Sequence, residues 1–230
     1  MVEEAWISGY IGLERCWNKG KPVNQLKASY FDSQAHTEWA APDYSPDQMR
    51  KIEYLIAEAD IHGGQRIVEP GCGTGRLTEI LADSVGSDGL VMALDISPKM
   101  IEACRRRLAA RRNVKIQCAA VEEFPFPKEA FDMVICHNVF PHFDDKRAAV
   151  NILSSALKPA GKFKIFHFLN SSDINDLHRK AHPSLFNDLM PDASEMETLF
   201  QMAGFKIDFL LDDDQGYFLS ATMNKSHPGP

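Results

Sequence analysis

Glu69-Pro70-Gly71-Cys72-Gly73-Thr74-Gly75 is the stretch on which the reading of this chain turns. The short apolar run Gln65–Glu69 leads into it, and Arg76–Val85 follows with Leu77, Ile80 and Leu81 at helical spacing. Glycine there lets the backbone adopt positive φ and pass close to a ligand. The N-terminus of the helix that follows offers unpaired N–H groups to a carboxylate or another anion. The spacing is G-x-G-x-G with Arg76 next, where a dinucleotide fingerprint has glycine or alanine. A glycine-rich turn alone has a purely steric explanation; Asp95 adds a second observation. It closes the apolar run Leu90–Asp95, twenty residues after Gly75, and so belongs at the same sheet edge. A carboxylate there can accept hydrogen bonds from both hydroxyls of a ribose. Its competing role, capping the next helix, suits Ser97 better, because Ser97 stands directly before Pro98 as N-cap before N1.

Outward from this core the chain alternates strand and helix. A helix from Pro98 to about Arg112, a strand Val114–Ala119 and a strand Phe131–His137 follow. Then come a helix from about Asp144 to Leu157, stopped by Lys158-Pro159-Ala160-Gly161, and a strand Lys162–Phe168. Repeated β-α-β units with short apolar strands predict a parallel sheet with helices on both faces. Beyond residue 170 the pattern changes. Asp173–His182 and Asp192–Ala203 read as helices, and Lys206–Leu211 and Tyr217–Met223 as strands joined by a short acidic loop, which permits only an antiparallel hairpin. The expected fold is a Rossmann-like α/β domain with a seven-stranded, mostly parallel sheet ending in an antiparallel hairpin. Its boundaries are 61–224, after a helical lid segment at 1–60 and before a disordered tail at 225–230.

A chain of 230 residues suits one such domain, and its 44% apolar and 25% charged content is that of an ordinary globular protein. The formal net charge of -7 gives no reason to expect a nucleic-acid partner, and the run Arg105-Arg106-Arg107 with Arg111 and Arg112 reads as a solvated helix face. The five cysteines, Cys16, Cys72, Cys104, Cys118 and Cys136, form no C-x-x-C pair. They read as free thiols of a reducing compartment, those in strand-like runs acting as small hydrophobes. No signal peptide and no membrane-length apolar stretch is visible, so the expected location is the cytoplasm, as monomer or homodimer.

From about Tyr30 to Met223 the chain resembles the class I S-adenosylmethionine-dependent methyltransferases, in particular the small-molecule branch with the quinone-biosynthesis C-methyltransferases. The resemblance rests on Glu69–Gly75 and on Asp95-Ile96-Ser97-Pro98-Lys99-Met100. Further along it takes in Glu122-Glu123-Phe124-Pro125-Phe126, Phe131-Asp132, Pro141-His142-Phe143 and Leu157–Gly161, in the family's order. Tyr30-Phe31-Asp32 with Trp39 resembles the opening of many such enzymes. The resemblance implies S-adenosylmethionine as cofactor. Glu69, Gly71, Cys72 and Gly73 are then implied at its methionine end, Asp95 at the ribose, and Ile96, Met100, Ala120 and Val121 around the adenine. His137 and Asn138 are implied beneath the sulfonium. Two departures stand out: Ala120 occupies a position where many relatives carry aspartate, and Ala160 interrupts a Pro-Gly-Gly turn.

Methyl transfer from a sulfonium needs orientation and exclusion of water, and a base where the acceptor is a phenol, hydroxyl or protonated amine. The candidates for that base are His137, His142 and His167, with His178 and His182 four residues apart behind them, a spacing that also suits a metal ligand pair. The expected activity is methyl transfer to a small molecule. Position 137–140 reads His-Asn-Val-Phe, without the Asp/Asn-Pro-Pro-Tyr/Phe signature of amide or base methylation. Methylation of a protein or RNA side chain is the alternative, and a non-catalytic cofactor-binding module is a further one.

Overall fold

The computed structural model describes residues 24–37, 40 and 43–224. The expected tail at 225–230, the lid segment before residue 24, and Trp39 lie outside the described residues.

A single seven-stranded sheet runs through the molecule in the order β3-β2-β1-β4-β5-β7-β6. The strands are β1 (Arg66–Pro70), β2 (Leu90–Asp95), β3 (Val114–Cys118), β4 (Phe131–His137), β5 (Leu157–His167), β6 (Phe205–Asp213) and β7 (Gly216–Met223). The first five are parallel, and β7 runs antiparallel to both β5 and β6. The expected topology holds, with one difference at the hairpin. The acidic residues Asp212 and Asp213 belong to β6, opposite Tyr217 and Gly216, because ladder pairing continues to the tightest turn the chain allows.

The helices are α1 (Gln25–Gln34), α2 (Pro46–Glu58), α3 (Arg76–Val85), α4 (Pro98–Arg107), α5 (Lys146–Ala156), α6 (Ser171–Lys180) and α7 (Ala193–Met202). Their starts follow local chemistry. Ser45 and Gln48 form a capping box before α2 and Asp192 and Glu195 another before α7, while Ser97, Asp145 and Asn170 cap α4, α5 and α6. Helix α4 stops at Arg107, earlier than its charge pattern suggested, and Arg107 and Arg111 are paired with acids. Arg107 meets Asp43 at 3.0 Å, and Arg111 engages both carboxylate oxygens of Asp83.

Two apolar cores cover the two faces of the sheet. One gathers Val68, Val134, Cys136, Phe163, Ile165 and Leu219 against α5 and α7; the other gathers Ile67, Val91, Ile135, Phe166 and Phe218 against α2, α3 and α4. Strand alternation explains the division, since successive side chains point to opposite faces. Cys72, Cys104 and Cys136 are buried free thiols, as expected of small apolar fillers. Cys118 is disulfide-bonded, against the reading of all five as free.

Helix α1 departs from the usual amphipathic plan. Leu26 is 74% exposed while its neighbour Lys27 is 1% exposed, and Lys27 is the helix's one buried residue. What seats α1 is therefore polar, apart from Phe31, which packs with Ala35, Ala40 and Met100.

Gly71 ties the turn after β1 to the fold. Its φ is +68°, and a Cβ there would lie 2.2 Å from Cγ2 of Val139. Overpacking costs about 1–3 kcal/mol and a left-handed alanine about 1–2 kcal/mol more. Gly71→Ala is accordingly expected to lower stability by at least about 2 kcal/mol, read as a lower urea midpoint at unchanged slope. An unshifted midpoint would mean that Val139 yields freely.

Candidate active site

The turn after β1, the ends of β2 and β4 and the N-terminal helices enclose a cavity of about 430 Å³. All eleven residues that the sequence placed around a cofactor line it: Glu69, Gly71, Cys72, Gly73, Asp95, Ile96, Met100, Ala120, Val121, His137 and Asn138. From the N-terminal segment Asn24, Phe31, Ala40, Tyr44 and Gln48 add a wall.

Glu69 is the most telling of them. It is 2% exposed, and its Oε2 has no hydrogen-bond partner among the described residues. Burial, opposed by the nearby Thr78 hydroxyl and reinforced by the Asp95 carboxylate, pushes Glu69 up to about 8. An acid held this way suits a cationic guest. Gly73, at φ +54°, leaves open space where a Cβ would stand, so the backbone presents itself bare to the cavity.

Asp95 accepts the backbone N–H of Gly73 at 2.9 Å and that of Ser97 at 2.8 Å, one on each oxygen. Burial raises it to about 6, against the lowering effect of those two bonds. Each carboxylate oxygen retains acceptor capacity for a hydroxyl. Ser97 in turn caps α4 through Met100 N–H and donates to Asp32 of α1 at 2.5 Å. Asp32 also accepts from Lys99 N–H, so α1 is clipped onto the helix beside the ribose position.

His137 stacks on Phe166, its Nδ1 3.2 Å from the Phe166 carbonyl and its Nε2 3.3 Å from the Asn138 amide. A carbonyl only accepts, so Nδ1 carries the proton and the Asn138 amide donates to Nε2. Burial, opposed by that carbonyl and reinforced by Arg76, lowers His137 to about 4. It is a neutral wall residue with both nitrogens engaged.

His142 is placed differently. It sits on the 3-10 turn Phe140–His142 after β4, lines the cavity, and meets Asp188 through Nδ1 at 2.7 Å. Its Nε2 makes no hydrogen bond among the described residues and is not among their sealed, unpartnered atoms. Burial lowers His142, with Asp188 pulling the other way and His178 and Lys27 reinforcing the fall.

His167 does not join the cavity. It follows Phe166 on β5 and so points to the opposite face, beside Tyr217, with its Nε2 buried and unpartnered. His178 and His182 also part company. Helix α6 ends at Lys180, so His182 is no longer one turn above His178. His178 turns its Nδ1 to the Asp188 carbonyl, while His182 stacks on Tyr30 and bonds Ser184. Among the described residues no group of three or more His, Cys, Asp or Glu is placed to hold a metal.

Residues 67–161 match a family model described as a methyltransferase domain. Within that match lie the glycine turn, Asp95, His137 and His142. That segment is similar to a methyltransferase domain.

The ubiquinone/menaquinone biosynthesis C-methyltransferase UbiE of Wigglesworthia glossinidia brevipalpis is 34% identical over 45% of this chain and 43% of its own length. The malonyl-[acyl-carrier protein] O-methyltransferase of Acetivibrio thermocellus is 32% identical over 62% of this chain and 50% of its own. The chain thus spans about half the length of the curated relatives it matches. A crystal structure of a SAM-dependent methyltransferase from Aquifex aeolicus has the same fold, with a TM-score of 0.64 at 16% identity, covering 88% of this chain and all of that one.

Several residues of the cavity and its supports escaped the sequence reading. Asp188, 46 residues from His142, and Lys27, 115 residues away, carry no local pattern that marks them. Arg76 was noted only for the fingerprint it breaks, yet its guanidinium lies 4.6 Å over the Tyr44 ring and both line the cavity. Beside Ala120, Glu122 and Glu123 line the cavity from the next turn. Ala160 adopts φ +64°, the conformation that glycine would hold without cost. Among the described residues no helix is long and apolar enough to cross a membrane.

Proposed function

We propose that this protein transfers a methyl group from S-adenosylmethionine to a small-molecule acceptor bearing a dissociable proton. The observation that carries the reading is Glu69, a buried acid whose Oε2 has no partner among the described residues, beside the bare Gly73 backbone and the Asp95 carboxylate in one cavity.

Bound there, S-adenosylmethionine supplies a methyl electrophile on a sulfonium, which an in-line acceptor displaces while the C–S electron pair stays on sulfur. Glu69 would hold the α-amino group, the Gly73 backbone would face the methionine end, and Asp95 would accept the ribose hydroxyls. Ile96, Met100 and Val121 would pack around the adenine, and His137 and Asn138 would line the floor. His142 takes the acceptor's proton at Nε2, so the pair of the acceptor's bond to hydrogen becomes its bond to the methyl group. Helices α1 and α2 act as a lid that excludes water, an effect that strengthens every electrostatic contact inside. The relatives named for quinone and acyl-carrier substrates support a small-molecule acceptor.

Asp95→Ala tests the cofactor half of this reading. Hydrogen bonds to a charged group contribute about 1.5–3 kcal/mol each, and losing one weakens binding by roughly ten- to a hundredfold. Calorimetric titration with S-adenosylhomocysteine should show that loss in a folded variant; unchanged affinity would remove the cofactor from this cavity.

A further inference from the structure

Resting on the methyl-transfer reading, we propose that Asp188 and Lys27 are positioning residues that hold His142 with Nδ1 protonated and Nε2 bare, ready to take the acceptor's proton.

The geometry is closed on one side and open on the other. The Asp188 carboxylate only accepts, so at 2.7 Å from Nδ1 it fixes the tautomer. Its second oxygen lies 2.9 Å from Lys27 Nζ. That ammonium also donates to Asp144 at 2.7 Å and to the His142 carbonyl at 2.7 Å. Three N–H donors thus meet three acceptors, two of them belonging to the His142–Asp188 pair. The Asp188 main chain is pinned as well, since its carbonyl accepts from His178 Nδ1. Two residues on, Met190 and Asn175 exchange a pair of hydrogen bonds, at 2.7 and 3.2 Å, that strap this loop to α6.

His137, a wall residue of the same cavity, has both nitrogens engaged. His142 has one nitrogen held by a buried carboxylate and the other left for the cavity it lines. The groups facing it come from every neighbouring element: Asp188 from the loop before α7, His178 from α6, His167 from the end of β5, and Lys27 with Phe31 from α1. Asp188 favours the protonated ring, and Lys27, with burial, disfavours it. The balance leaves a neutral imidazole that can still accept a proton. Since Lys27 belongs to α1, the base is complete only when that helix is seated.

The test is nitrogen NMR of the full chain, uniformly ¹⁵N-labelled and saturated with S-adenosylhomocysteine, where long-range couplings report each imidazole's tautomer. His142 is expected as the Nδ1–H form across neutral pH. In Asp188→Asn the amide can donate to Nδ1, so the proton moves to Nε2. In Lys27→Met the tautomer stays, but the ring's titration midpoint rises by roughly one pH unit as the neighbouring cation is lost. A merely structural role for Lys27 moves neither quantity. An Nε2–H tautomer in the unsubstituted protein overturns the proposal, as do two variants with its tautomer and midpoint. If a variant fails to fold, the unsubstituted spectrum still decides. Titration of the same samples with S-adenosylhomocysteine keeps the two ideas apart. No binding overturns the methyl-transfer reading itself, whereas binding with the wrong tautomer overturns the relay alone.

Discussion

His142→Ala should lower methyl transfer by about 10²–10⁴-fold, the contribution of a positioned general base, while leaving S-adenosylhomocysteine affinity within a few-fold. The two effects separate because His142 holds no part of the cofactor cradle built by Glu69, Gly73 and Asp95. The variant should also fold, because Asp188 keeps its 2.9 Å ion pair with Lys27 after the imidazole is gone. Release of S-adenosylhomocysteine, followed against a panel of phenols, thiols and amines, gives the rate. A loss of only about tenfold would make His142 a wall contact, and equal losses in rate and affinity would place it at the cofactor. His167, which points to the other face of β5, stands outside this prediction.

Cofactor affinity should weaken by up to about tenfold for each pH unit below 8, through Glu69. In the empty protein burial holds this acid protonated up to about 8. A cationic α-amino group against Oε2 favours the carboxylate, so binding expels the proton, and lower pH opposes binding. Calorimetry in buffers of different ionisation enthalpy should find about one proton released per cofactor near pH 7. Asp95, raised to about 6, adds a second step only toward that lower pH. The pH dependence of folding is the opposite. An acid whose folded pKa is raised disfavours the empty fold increasingly as pH climbs from its unfolded value, 4.5, to about 8. Glu69→Gln should flatten the affinity profile and bind poorly at pH 8. An affinity that improves as pH falls would exclude Glu69 from the contact.

The cofactor end was legible in the sequence because its parts lie within one β-α-β unit and obey rules of local geometry. Gly71 and Gly73 adopt the positive φ that their spacing implied, and Asp95 closes β2 at the edge where ligands meet such sheets. The strand starting at Phe131 and the helix starting at Arg76 were also readable from apolar periodicity. What failed to read was long-range or inverted. His167 was placed at the cavity because it ends a strand, but one residue decides which face a side chain takes, and the next residue, Phe168, lines the cavity instead. His178 and His182 looked like a pair because the helix was extended two residues too far. Asp188 belongs to the site only through the fold of a loop, and Lys27 through a buried ammonium in a helix whose pattern predicts no buried face at all.

That last feature sets the physical character of closure. A helix docked by an apolar stripe comes away with a large rise in heat capacity, because hydrocarbon meets water. Helix α1 is fastened instead by Lys27 among carboxylates at one end and by Asp32 on the α4 cap at the other, while Leu26 already faces solvent. Lifting it exposes little new hydrocarbon, so its seating responds to ionic strength and to substitution of single charges more than to the temperature dependence that governs the two cores. The reaction chamber and the folded domain therefore answer to different variables: dissolved salt acts on the first through α1, while heat acts mainly on the second.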